Sequence, residues 1–112
     1  MQSWNLVELD TPEGSRSPIV LHSTQDARAV LIGLSPGQEL GDHQVHENAY
    51  MLVVTGEVEV GSSEETMRAG PGTLLRFEAR ERHRVSSARG AKMLLLLAPW
   101  PGAGHYRGER SE

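Results

Sequence analysis

Five residues in this chain have side chains and spacing suited to chemistry. His43, Gln44, His46 and Glu47 fall in one short run, His-Gln-Val-His-Glu, and His83 lies further on in Arg-Glu-Arg-His-Arg. Imidazole and carboxylate donors suit divalent Fe, Mn, Ni, Cu or Zn. Three such groups converging on a point leave positions open for water, dioxygen or a substrate oxygen. Each residue also has a plainer reading: His43 as a polar rim residue, His83 as a solvated histidine in a charged loop, Glu47 as a surface carboxylate. His46 follows His43 by three residues, so a regular strand sends them to opposite faces, and they join only across a backbone bulge. Glu47 shares the His43 face and could act as a further ligand or a general base. Gln44, on the other face, is a neutral alternative ligand. The run fails as a helical zinc motif, which needs histidines four apart.

The elements that must position these groups read as strands. Residues 50–54 form an apolar run with both faces covered, continuing the strand that begins at His43. Thr55-Gly56 turns the chain, and residues 57–60 alternate Glu and Val, as a half-exposed strand does. Residues 64–69 read as a polar edge strand, 73–77 as a strand, 78–82 as a charged corner, 83–87 as a strand and 92–98 as a buried apolar strand. Upstream, residues 4–9 alternate weakly and predict a first short strand. Residues 11–18 read as a loop, and 18–23 and 27–34 as strands. Residues 35–38, Ser-Pro-Gly-Gln, are a strong turn signal. Nine or ten short strands and no helix beyond two turns imply an antiparallel sandwich or barrel.

Composition narrows the function classes. The 112 residues contain no cysteine, which removes disulfides, thiolate metal sites and a cysteine nucleophile. A net charge of −4 with dispersed arginines argues against a nucleic-acid partner. The first ten residues lack the basic-then-apolar pattern of a signal peptide. The longest apolar run, residues 93–98, is too short to span a bilayer. The expectation is a cytoplasmic protein with no membrane or nucleic-acid partner. Trp4 and Trp100 are expected to cover the barrel or an interface, His22 to be structural or exposed, and His105 to be a solvated tail residue.

Two motifs carry a resemblance to the cupin superfamily over roughly residues 34–98. The first cupin motif runs His-x-His, a few residues, Glu, six residues, Gly. Counting back from Gly56, His43 takes the first histidine's place, while Val45 and Ala49 stand where the second His and the Glu belong. His46 and Glu47 are present but displaced. The second motif runs Gly, five residues, Pro-x-Gly, two residues, His. Gly72 and His83 fit it, with Glu78 and Arg80 in place of Pro and Gly. His-Gln-Val-His-Glu, with the closing Leu-Ala-Pro-Trp-Pro-Gly-Ala-Gly-His-Tyr, is also similar to one group of small bacterial cupins.

The resemblance implies an all-β, antiparallel double-stranded β-helix (a jelly-roll barrel). Length and the lack of a linker give one domain over 1–112 with an irregular Gly/Pro-rich tail at 99–112; the resemblance places the motif-bearing core at about 34–98 and implies a homodimer. It implies a divalent transition metal (Fe, Mn, Ni, Cu or Zn) held by His43, His46 and His83, with Glu47 or Gln44 as additional ligand. The implied activity is that of a metal-dependent dioxygenase, other oxidoreductase or isomerase on a small molecule. Loss of the motif Glu to Ala49 leaves open a non-catalytic binding or sensing cupin with a degenerate metal site.

Overall fold

The computed structural model describes residues 1–11, 18–43, 47–62 and 64–100, with 41–43 described by their backbone alone. Among these, nine strands and no helix form: β1 (Ile19–Ser23), β2 (Arg28–Leu34), β3 (Glu39–His43), β4 (Asn48–Gly56), β5 (Val58–Ser62), β6 (Thr66–Ala69), β7 (Leu74–Phe77), β8 (His83–Ser86) and β9 (Ala91–Ala98). They make two antiparallel sheets, ordered β1-β2-β9-β4-β7 and β3-β8-β5-β6. This is the all-β antiparallel barrel that the strand spacing predicts.

Period-two alternation decides which side chains go inside. Val30, Ile32 and Leu34 of β2, Ala49, Met51 and Val53 of β4, and Met93 and Leu97 of β9 face the other sheet. There they meet Val58, Val60, Ala69 and Val85 in a shared core. On β5 the glutamate between the two buried valines is exposed, the half-buried pattern read from the sequence.

The outer face of the five-stranded sheet is also apolar. Ile19, Leu31, Leu94, Leu52 and Leu74 are successive cross-strand partners and form one row over all five strands. Leu31 is fully buried without belonging to the interior cluster. The N-terminal segment lies over this face. Lys92 Nζ donates to the carbonyls of Leu6 and Val7, both at 2.9 Å, and to that of Leu9. Gly33 leaves room for Thr11, whose Oγ1 would sit 2.0 Å from a Cβ built there.

Two expectations are corrected. Residues 4–9 are not a strand. Asn5 accepts at its carbonyl from the Glu8 and Leu9 N–H groups, and at its side chain from the Val7 and Glu8 N–H groups, which bends the segment into a turn. Nor does one regular strand run from His43 to residue 54. β3 ends at His43 in one sheet and β4 starts at Asn48 in the other. Because β3 and β4 lie in different sheets, the face assignments made by counting through 43–47 do not hold. The expected loop at 12–17 and the tail from 101 onward lie outside the described residues.

Candidate functional site

The His43 backbone, Glu47 and His83 come to one end of the barrel because several strand ends meet there. β3 ends at His43, Glu47 leads into β4, β7 ends at Phe77, and β8 begins at His83. The corner at 78–82 that delivers His83 is tightly built. The Glu81 N–H donates to the Glu78 carbonyl at 3.0 Å, and the Glu81 carboxylate accepts from the Glu78 N–H at 3.0 Å. Asn48 Oδ1 accepts from the Ala79 N–H at 3.2 Å, tying this corner to the start of β4.

His83 is buried, at 4% exposure, between the exposed Arg82 and Arg84. Its ring lies parallel on Phe77, with centroids 3.9 Å apart and planes 6° apart. Nδ1 is 3.2 Å from the Glu81 carbonyl oxygen. A carbonyl only accepts, so Nδ1 carries the proton in this pair, and in a neutral imidazole the lone pair is then on Nε2. Ligating histidines are commonly oriented in this way, with the second nitrogen donating to a backbone carbonyl. The plain reading of His83 as solvated is thereby overturned.

Glu47 is 1% exposed and among the largest fully buried side chains. It extends the inward series of Ala49, Met51 and Val53, so it is not a surface carboxylate. Burying a carboxylate is costly unless charge or hydrogen bonds compensate it. The β3–β8 register sets the His43 backbone opposite that of His83, after an irregularity between Leu40 and His43. Gln44 and His46 lie outside the described residues. Among the described residues, no three His, Cys, Asp or Glu side chains assemble into a metal cluster.

Sequence reasoning missed Arg28. It opens β2 in register with the inward-facing Val30, Ile32 and Leu34. Arg28 pairs with Leu97, Leu97 with Ala49, and Ala49 with Phe77, so these four make the last interior row at the His83 end. The Arg28 guanidinium carbon sits 4.4 Å from the ring centroid of Trp100, which is buried at the core's edge. The available signal was an arginine two residues before an alternating apolar series.

The remaining candidates lie apart. His22 is exposed, with Trp4 6.2 Å away between ring centroids, and His105 is outside the described residues. A cleft of about 880 Å³ opens at the opposite end of the barrel, at the Gly56 and Gly90 turns. Glu57, Glu59, Arg68 and Arg89 line it, a mixed-charge wall containing none of the ligand-type candidates.

A family model described as a cupin domain matches residues 30–99, and the chain belongs to that family. Solved structures agree on the fold. A conserved protein with a double-stranded β-helix domain from Klebsiella pneumoniae is 20% identical, with a TM-score of 0.79 over 92% of this chain and 94% of that one. An RmlC-like cupin protein from Desulfovibrio desulfuricans is 25% identical, with a TM-score of 0.79 over 88% and 97%. KdgF from a Halomonas species is 23% identical, with a TM-score of 0.69 over 73% and 78%. No curated protein matches the chain. No helix among the described residues is long and apolar enough to cross a membrane.

Proposed function

We propose that this cupin binds a divalent transition metal at the His83 end of the barrel and acts there on a small molecule. His43, His46 and His83 are the ligands, with Glu47 as the additional donor and Gln44 as the neutral alternative. The observation that carries this reading is the pair of buried, ligand-type side chains at one barrel end. His83 is fixed by Phe77 and the Glu81 carbonyl so that Nε2 keeps its lone pair, and Glu47 is buried where a cation would offset its charge. A bound metal would polarise a substrate oxygen or dioxygen, the chemistry of an oxygenase or isomerase. The chain's own part is to orient the imidazole and to supply apolar walls, Phe77, Ala49 and Leu97, that limit water.

A second reading, a non-catalytic binding module, is favoured by Ala49 standing where the family motif has its glutamate. Elemental analysis of untagged protein prepared without chelator separates the two. Near-stoichiometric Fe, Mn, Ni, Cu or Zn, lost in a His43→Ala/His83→Ala variant, supports the metal site. A parent protein that stays metal-free after reconstitution removes it and leaves the binding module.

A further inference from the structure

We infer that Arg28 is a carboxylate-recognition residue, and that the ligand entering this barrel end is a small organic acid with an apolar body. The inference takes its location from the proposed site and adds a substrate class. Arg28 is the single cation in the interior row Arg28, Leu97, Ala49, Phe77, and its neighbours there are hydrocarbon. Arg28 Nε is buried with no hydrogen-bond partner among the described residues. A buried donor without an acceptor is destabilising, and a carboxylate is the acceptor that fits the guanidinium fork. Arg28 is only partly buried overall, so the residue can be reached although Nε is covered.

Geometry sets the size of the acid. Three strand spacings of about 4.8 Å separate Arg28 from Phe77 across the sheet, roughly 14 Å of backbone, and the arginine side chain spans part of that distance. A ligand reaching from Arg28 toward His83, which stacks on Phe77, would be one ring or a short chain rather than a polymer. Trp100 under the guanidinium holds the fork flat and adds apolar wall. An acid held by Arg28 at its carboxylate would direct its other end toward His83.

The test titrates the full-length protein with benzoate and, in parallel, with benzamide, its neutral counterpart. Heat and Trp emission are both followed, since Trp100 lies against Arg28. Benzoate is expected to bind and benzamide to bind far more weakly. Arg28→Gln should weaken benzoate at least ten-fold, and Arg28→Lys, which keeps the charge but not the fork, should fall between. Melting curves confirm that the variants are folded, and Arg28→Lys serves if Arg28→Gln is not. No benzoate binding, equal binding of benzamide, or benzoate affinity unchanged in a folded variant would overturn the inference. Metal content is measured in every sample. Arg28-dependent benzoate binding by metal-free protein leaves this inference standing and removes the metal reading. Metal-loaded protein whose benzoate affinity ignores Arg28 does the reverse.

Discussion

Arg80 holds a backbone conformation that favours glycine. It stands where the family motif has glycine, and its φ of 68° is the left-handed region that glycine enters freely. For an L-residue that conformation costs about 1–2 kcal/mol, while a glycine adds about 0.4–1 kcal/mol of unfolded-chain entropy. Arg80→Gly should therefore stabilise the protein by a net ~1 kcal/mol, seen as a higher urea midpoint with an unchanged slope. A lower midpoint would mean that the arginine side chain contributes more than the backbone strain costs. At this scale the sequence was legible where spacing carried the information. His83 was singled out by its distance from Gly72, and its burial was readable too, since it alternates with Val85 between two exposed arginines. Arg28 was missed because its signal is a violation: a cation extending an apolar inward series, which makes sense only once the facing sheet is known. For Glu47, counting along an assumed regular strand put it on the His43 face, whereas a sheet-to-sheet crossing intervenes.

Turns and crossings decide how the strands present these residues. Composition and period-two alternation made the strands themselves legible, with ends within a residue or two for β2, β5, β7 and β9. The β3–β4 break was not legible, because a polar connection and a polar strand end look alike in one sequence. The turn at 4–9 was missed because Asn5 offers the backbone local hydrogen bonds that override weak alternation. The β4–β5 turn is the most constrained of these junctions. Gly56 has a φ of 81°, and a Cβ there would lie 2.3 Å from the Gly90 carbonyl oxygen and 2.8 Å from the Ala91 Cα. Both contacts are backbone, and Gly56 pairs with Ala91 at the end of the β4–β9 ladder, so neither partner can yield without breaking register. Gly56→Ala should cost more than about 2 kcal/mol, the combined scale of left-handed strain and overpacking. Thermal melting checks this. Gly37→Ala is the control: it shares a positive φ of 82° but has nothing within 4 Å of the added Cβ, and it should cost the strain alone.

The whole molecule has a face that the N-terminal segment does not fully cover. In the cross-strand row Ile19–Leu31–Leu94–Leu52–Leu74, the burial runs out at the β7 edge, where Leu74 is 63% exposed; Leu96 in the next row is 39% exposed. A continuous apolar surface of this kind on a small protein marks an association site more often than bare surface. The homodimer expected from the sequence is proposed to form here. A two-fold pairing would set each copy's leucine row against its partner's, an isologous contact that closes on itself. Tyr50 and Arg76, in the same cross-strand row as Leu96, would then lie toward the rim. Light scattering of the parent should give twice the mass of one chain. A Leu74→Glu/Leu96→Glu variant should give one, because a two-fold contact brings its new charges close to those of the partner. The variant's melting temperature should then depend less on protein concentration than the parent's, since association no longer contributes to its stability. If both proteins are monomers, or both dimers of equal strength, the contact lies elsewhere or does not exist. Glu47, His83 and the Arg28 row are on the interior side of the sheets, away from this surface, so the monomeric variant should keep whatever metal content and benzoate affinity the parent has.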